Sequence, residues 1–258
     1  MKKILMAVLA MAGILTGCTT KQAAPDHSIE ADIAALDSLN SYWQTCEELI
    51  PDSVIYATYE EYYNYHKSDS LGLDLFSDLA YYWDLETLDS KLAEADPLIV
   101  NDAFIQRLRT AKVASAKAGV GSPYIDVKGT DAINGKDLAI SDLLADGKPL
   151  IVDFWASWCG PCRREINEYL SKYAEQYKDQ VNFVGVAVWE NGVEDTQKAM
   201  SELPISWPVI FAGGRTDSPT EQYGIMGIPH IMLIAPDGTI LGRDLRGEAI
   251  AKAIDDAL

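Results

Sequence analysis

Residues 150–162 read LIVDFWASWCGPC, an apolar run followed after three residues by two cysteines in the spacing Cys-x-x-Cys. The apolar run predicts a buried strand, and the pattern predicts a helix that begins at Cys159. Such a helix directs its unpaired N–H groups and the positive end of its dipole at the Cys159 sulfur. Both effects favour the thiolate, the species that attacks disulfides. Cys162, one turn further in, is placed to resolve a mixed disulfide, so the segment predicts dithiol–disulfide exchange.

The composition is that of a globular protein with an acidic, solvated surface. Of 258 residues, 48% are hydrophobic and 23% are charged. The formal net charge of -18 argues against nucleic acid or an anionic membrane surface as a binding partner. The length allows one large domain or two modest ones.

The N-terminus has the form of a secretory signal. Two lysines precede the apolar residues 4–15, a run too short to span a bilayer as a helix. Residues 15–18, LTGC, resemble the lipobox of bacterial lipoproteins, which implies lipidation of Cys18; an ordinary signal peptide is the alternative. We expect a signal peptide at 1–17, a tether at 18–27, and a lipid-anchored location in the bacterial cell envelope, periplasmic or facing the outer membrane.

The remaining cysteine and the histidines suggest no metal site. With Cys18 assigned to lipid and a Cys-x-x-Cys pair elsewhere, Cys46 is left over. It is expected to be a small buried hydrophobic residue; a third redox thiol is the alternative. One Cys-x-x-Cys pair does not make a four-ligand zinc site when the histidines are far apart in sequence. These histidines are His27, His66 and His230. Neither a metal nor a cofactor is implied.

The sequence pattern of residues 28–118 predicts an α-helical N-terminal domain. Apolar residues recur at helical spacing from Ile29 to Trp43, with acidic residues between them. Breaks at proline and glycine predict helices near 29–49, 53–67, 73–94 and 98–117. The region is rich in tyrosine and tryptophan. We expect these rings to form the core of a helical bundle; a surface that docks a partner protein is the alternative.

Residues 119–258 alternate strands and helices after a Gly/Ser/Pro-rich boundary at 119–123. The pattern predicts a central sheet covered by helices on both faces. Strands are predicted at 124–128, 149–154, 182–189, 208–211, 231–234 and 239–244. Helices are predicted at 140–144, 159–177, 193–203, 217–223 and from Glu248, and Asn134-Gly135 is predicted to form a hairpin turn.

The segment 152–162 resembles the signature of the thioredoxin superfamily, and Ile228-Pro229 precedes another apolar strand, as in that family. Within the superfamily the chain is similar to the TlpA/ResA-like bacterial thiol–disulfide oxidoreductases, whose Gly-Lys-Pro lead-in is matched at 147–149. The resemblance covers about 120–258. It implies an α/β thioredoxin fold, a central mixed sheet flanked by helices, preceded here by the helical domain 28–118.

The resemblance also implies catalytic roles. Cys159 would be the attacking nucleophile and Cys162 the resolving thiol. Asp153 matches a buried carboxylate that assists proton transfer to and from Cys162, and burial is expected to raise its pKa. Glu165 completes a Cys-x-x-Cys-x-x-Glu pattern in which a glutamate shares that task; an ordinary surface carboxylate is the alternative.

Five further residues are implied to bind the substrate. Pro229 matches the family's cis-proline, whose neighbouring backbone, at Ile228, pairs with an extended substrate segment. Gly160 and Pro161 set the redox poise, and Trp158 forms an apolar wall beside the thiols. Two interpretations of the neighbouring His230 stay open, a cation that favours the thiolate and a hydrogen-bonded structural histidine.

The function expected is reduction of disulfides in envelope proteins, with electrons supplied by a membrane thiol reductant. A thiol peroxidase is one alternative, although Val152 and Ala156 stand where a peroxiredoxin has Pro and Thr/Ser before its reactive cysteine. A binding lipoprotein is the other: its helical domain would dock a partner and its thioredoxin module would be ancillary.

Overall fold

The computed structural model describes residues 26–46, 49–213 and 218–258. The predicted signal peptide and Cys18 lie outside these ranges. The chain divides into two compact units between His66 and Lys67. Within the described ranges, no helix combines the length and the apolar character needed to cross a bilayer.

The first unit contains helices α1 (Ile29–Thr45) and α2 (Asp52–Tyr65). Two histidines that are distant in sequence meet there on one buried carboxylate. Asp32 Oδ2 lies 2.9 Å from His66 Nε2 and 3.0 Å from His27 Nδ1. Cys46, at the end of α1, is half-buried and not part of a disulfide with any described cysteine, so the prediction that it is buried is wrong.

The second unit begins with four helices, each started by an aspartate whose carboxylate accepts backbone N–H groups of the first turn. They are α3 (Ser70–Tyr82), α4 (Leu85–Ala93), α5 (Pro97–Val100) and α6 (Ala103–Lys117). The predicted helices 73–94 and 98–117 are each divided in two. The reason is the capping by Asp84 and Asp102, which starts a new helix inside each predicted one.

The aromatic side chains of this helical region do not form its core. The tyrosines and tryptophan at 56–65 and 81–83 are half-buried or exposed, with Tyr82 63% exposed. The buried side chains in 67–118 are aliphatic apart from Phe76. The expectation of an aromatic core is therefore wrong, because leucine and isoleucine at helical spacing fill the interior first.

The remaining elements build a seven-stranded mixed sheet. The strands are β1 (Lys128–Asp131), β2 (Asp137–Ala139), β3 (Leu150–Trp155), β4 (Asn182–Ala187), β5 (Val209–Phe211), β6 (His230–Ile234) and β7 (Ile240–Leu245). Their order is β2-β1-β5-β4-β3-β6-β7. Strands β3, β4 and β5 are parallel, and the other neighbours are antiparallel.

The helices of this part are short. They are α7 (Ile140–Leu144), α8 (Gly160–Glu165), α9 (Ser171–Gln176), α10 (Val193–Glu202), α11 (Pro219–Tyr223) and α12 (Glu248–Ala257). A π-helical turn, Ile166–Leu170, joins α8 to α9, so the predicted helix 159–177 is continuous but widened in the middle.

The predicted strand 124–128 is wrong. Its backbone is extended, but Tyr124 donates to the Gly238 carbonyl and Pro123 bridges to Thr239, at the turn between β6 and β7. The sheet strand β1 begins only at Lys128. The hairpin turn at Asn134-Gly135 is confirmed, with Gly135 at a φ of 70°.

Two apolar cores cover the two faces of the sheet, as expected. Because alternate residues of a strand point to opposite faces, Ile151 and Trp155 pack in one core and Val152 and Phe154 in the other. All six residues of β3 are buried. The predicted α/β thioredoxin fold with preceding helices is confirmed.

Helix α6 is fastened to the sheet domain by Arg243 of β7. Its guanidinium donates to the carbonyls of Ser115, Ala118 and Tyr223, the first two at the end of α6. Gly224 ends α11 in a left-handed conformation, and a Cβ there would overlap the backbone of α6. These contacts place 67–118 in the same compact unit as the sheet, so the unit boundary does not coincide with the predicted domain boundary at 118/119.

Replacing Arg243 should weaken the packing of α6 against the sheet domain. We expect Arg243→Ala to lower the free energy of unfolding by about 2–3 kcal/mol, because several carbonyls lose a charged donor. Hydrogen exchange should accelerate at residues 111–121 in particular. The control is Arg164→Ala, at an exposed position of α8. Equal exchange rates in wild type and Arg243→Ala would contradict the assignment.

Candidate active site

Cys159 and Cys162 form a disulfide at the carboxyl end of β3. Cys159 is the N-cap of α8, and its Sγ accepts a hydrogen bond of 3.1 Å from the Cys162 N–H. Cys162 is fully buried, whereas 3% of the Cys159 surface is accessible to solvent. The exposed residues Trp158 and Gly160 flank Cys159. The geometry therefore leaves Cys159 as the sulfur that an incoming group can reach, and the helix start favours its thiolate.

The loop before β6 borders this disulfide. The Ile228–Pro229 peptide bond is cis, as the resemblance implied. The Ile228 carbonyl oxygen lies 3.7 Å from Cys159 Sγ, so a reduced Cys159 thiol has an acceptor there. Arg246 donates to the Pro229 carbonyl and thereby holds the same loop from the other side.

Asp153 is a buried carboxyl on β3. Its side chain points to the same face of β3 as Ile151 and Trp155, two residues away on either side. These two residues pack in the same core as both cysteines, so Asp153 lies on the cysteine face of the sheet. Burial raises the pKa of Asp153 to about 8; the negative Glu165 adds to the rise and Arg246 opposes it. Its Oδ1 has no hydrogen-bond partner within the described parts of the chain. A neutral, protonated carboxyl fits these surroundings.

Glu165 is half-buried rather than an ordinary surface residue. Its Oε1 accepts a hydrogen bond of 2.6 Å from the Gly247 N–H, at the start of α12. The side chain is therefore fixed near Asp153 by a backbone contact. Its predicted share in proton transfer remains a prediction.

Trp158, Gly160 and Pro161 lie on the open side of the disulfide. Trp158 is 55% exposed, and its indole N–H donates to the Trp189 carbonyl at 3.2 Å. The structure thus brings together all nine residues that the sequence placed at the catalytic and substrate-binding sites. Cys18, the predicted lipidation residue, lies outside the described residues.

His230 does not supply a positive charge. Burial, together with the nearby cation of Arg243, lowers the pKa of His230 to about 4, despite the neighbouring Asp244. The ring is neutral at pH 7, and its Nε2 accepts a hydrogen bond from the Arg243 Nε. Of the two interpretations left open by the sequence, the structural histidine fits.

Glu190 is a site residue that sequence reasoning missed. It is 2% exposed, and its carboxylate accepts from the Ser157 N–H at 2.5 Å and the Ser157 hydroxyl at 2.7 Å. Arg163 donates to the Ser157 carbonyl at 3.3 Å. The N–H, the hydroxyl and the carbonyl of Ser157 are therefore all hydrogen-bonded, which fixes the loop that leads into Cys159. The only sequence signal was an acidic residue directly after the apolar run 182–189.

A family model described as Redoxin matches residues 119–257. The chain belongs to the Redoxin family. It is 30% identical over 109 residues to thiol-disulfide oxidoreductase ResA of Bacillus subtilis (strain 168), covering 42% of this chain and 58% of ResA. It is 29% identical over 148 residues to the chloroplastic thioredoxin-like protein HCF164 of Oryza sativa subsp. japonica, covering 55% and 46%. The chain thus spans about half the length of these relatives.

Solved structures are similar to the second half of the chain. The C-terminal domain of a Bacteroides thetaiotaomicron protein superposes with a TM-score of 0.50 at 26% identity, covering 55% of this chain and 97% of that domain. The thioredoxin domain of a thiol-disulfide oxidoreductase from Bacteroides vulgatus gives 0.48 at 30% identity, covering 54% and 96%. The Redoxin match and the similarity to ResA confirm the prediction that the chain is a TlpA/ResA-like member of the thioredoxin superfamily.

The buried carboxyl should make stability depend on pH. An aspartate in the unfolded chain has a pKa of about 3.9. Between that pH and the raised pKa of Asp153, the folded protein therefore binds one proton that the unfolded protein has lost. The free energy of unfolding therefore falls as pH rises, by up to about 1.4 kcal/mol per pH unit from this group. Asp153→Asn removes this dependence. We therefore expect the free energy of unfolding of the variant, measured relative to wild type, to increase from pH 5 to pH 7.

Guanidinium unfolding of the oxidised protein at four pH values measures this effect. Asp195→Asn, at an exposed position of α10, is the control and should run parallel to wild type. Parallel curves for Asp153→Asn as well would show that Asp153 is charged in the folded state.

Removing Glu190 should release the loop before Cys159. We expect Glu190→Ala to lower the free energy of unfolding by about 2–3 kcal/mol, because the Ser157 N–H and hydroxyl lose a charged acceptor. Urea unfolding of both variants against wild type checks this, with exposed Glu194→Ala as the matched control. A loss no greater than in the control would mean that Glu190 does not hold the loop.

Proposed function

We propose that the protein is a membrane-anchored thiol–disulfide oxidoreductase that reduces disulfides of envelope proteins through Cys159 and Cys162. One observation carries the proposal: a sulfur at a helix start, next to the loop of a cis-proline and joined to a buried second sulfur. The names of the relatives, thiol-disulfide oxidoreductase and thioredoxin-like protein, support the same reaction class.

The reaction proceeds in two exchanges. The Cys159 thiolate attacks one sulfur of the client disulfide, and the other client sulfur leaves as a thiolate. Cys162 then gives up its proton and attacks Cys159 Sγ, which releases the second client thiolate and leaves the Cys159–Cys162 disulfide. The client gains two electrons and the protein loses them. The two client thiolates take up the proton that Cys162 releases and the one that Cys159 lost when its thiolate formed.

Asp153 is suited to exchange a proton with Cys162, because the minor ionised form that exists near its raised pKa can accept that proton. A carboxyl with a pKa of about 8 exchanges protons near neutral pH, and it lies on the same face of β3 as the thiols. Glu165, held by the Gly247 N–H and near enough to raise the pKa of Asp153, is the second candidate for this task.

Each turnover leaves the protein oxidised, so a dithiol must reduce it again. A membrane thiol carrier would supply the electrons if the protein is held outside the cytoplasm by lipid on Cys18. The LTGC segment supports this anchoring. The sequence Val152 to Ala156, which lacks the peroxiredoxin Pro and Thr/Ser, disfavours the peroxidase alternative, and the intact disulfide disfavours an ancillary redox module.

The resolving thiol provides the test. In full-length Cys162→Ser, we expect envelope proteins to stay attached to Cys159 as mixed disulfides, because the second exchange cannot occur. Cys46→Ser should trap none, and Cys159→Ser should abolish reduction of a disulfide peptide. Non-reducing gels followed by mass spectrometry detect the adducts.

No adducts under conditions that trap a control thioredoxin would overturn the proposal. The direction of electron flow is tested on the wild-type protein: a reductase requires a Cys159–Cys162 potential nearer to about -270 mV than to about -120 mV.

A further inference from the structure

A cavity of about 550 Å³ lies against the cis-proline loop, and neither Cys159 nor Cys162 is among the residues that line it. Its walls come from α6, from the segment between α11 and β6, and from the end of β7. Helix α6 contributes Ala111, Lys112 and Ser115, which belong to sequence before the Redoxin match at 119–257. One wall of the cavity is therefore supplied by this chain's own extension.

The cavity adjoins the redox site through the cis-proline loop. Ile228 and Pro229 line it, and the Ile228 carbonyl oxygen is the atom 3.7 Å from Cys159 Sγ. A peptide whose disulfide is attacked by Cys159 must pass this loop. A side chain near the client's cysteine then faces the cavity, because residues of an extended segment alternate in direction.

The cavity is positively charged in an otherwise acidic protein. Three cations line it, Lys112, Arg243 and Arg246, against one carboxylate, Asp244, while the net charge of the chain is -18. His230, also on the wall, is neutral at pH 7 for the reasons given above.

The cations are held in place by backbone carbonyls. The Lys112 ammonium donates to the carbonyls of Tyr81 and Trp83, which leaves one of its three hydrogens for a ligand. Arg243 is fixed by three carbonyls of the second unit. The Arg246 side chain is 40% exposed; its guanidinium donates to the Pro229 carbonyl and pairs with Asp244 at 2.8 Å. The remaining hydrogen of Lys112 and the net positive charge of the wall suit a carboxylate.

We propose that this cavity binds an acidic side chain of the client, close to the cysteine that Cys159 attacks. This inference rests on the proposed function and adds to it a substrate class: disulfides next to Asp or Glu. Lys112, contributed by α6, is the specificity-determining residue.

The experiment compares disulfide peptides that differ at one position. Sets carrying Glu, Gln or Lys at each of the three positions on either side of the cysteine are reduced by the full-length protein, with dithiothreitol as electron donor. At one or more positions we expect kcat/KM to be about five- to tenfold higher for Glu than for Gln, and lowest for Lys. The ratio should shrink in 0.5 M NaCl, because salt screens the attraction.

Variants localise the effect. Lys112→Gln should reduce the Glu/Gln ratio about threefold, Lys112→Glu should reverse it, and Lys112→Arg should retain it. Lys117→Gln is the matched control, since Lys117 is exposed on the same helix and does not line the cavity. The salt dependence of wild type tests the proposal even if a Lys112 variant fails to fold.

The outcomes separate the two proposals. If wild type reduces all peptides equally, or favours apolar ones, the acidic specificity is wrong and the reductase function stands. If Lys117→Gln lowers the ratio as much as Lys112→Gln, general charge is responsible and the cavity is not the site. If no peptide is reduced, the proposed function itself fails.

Discussion

The burial of β3 on both faces is the constraint on which the rest of the structure depends. A strand without a solvated face must be central, so it pairs with β4 on one side and β6 on the other. Those two neighbours deliver the site. The loop after β4 brings Glu190 to Ser157, and the loop before β6 brings Pro229 to Cys159. The redox pair sits where three backbone segments converge.

The same burial sets the electrostatics of the site. A carboxyl on a strand with no access to water cannot ionise at low cost, so Asp153 stays protonated to about pH 8. Burial thus destabilises the charged form of Asp153, and it also gives the site an acid–base group that exchanges protons near neutral pH. The neutral His230 follows from the same desolvation, so the positive end of α8 is left to favour the thiolate.

Helix α6 shows how an extension is joined to a common fold. Arg243 reaches from β7 to the carbonyls at the end of α6, where no intrahelical donor remains for them. A single half-buried guanidinium satisfies these groups and fixes one wall of the cavity beside the cis-proline loop. The sequence predicted a domain boundary at 118/119 because composition changes there. Composition does not record such a contact between segments far apart in the same chain.

The sequence by itself determined the fold class, the strand–helix junction at Cys159 and the position of Asp153, because hydrophobic period and cysteine spacing are local properties. Secondary structure failed where local rules competed, as at 124–128, whose backbone bonds go to a distant turn. Only the tertiary structure decided the partners. Glu190, Arg246 and Lys112 join the site through pairing of segments far apart in sequence, and no local pattern carries that information.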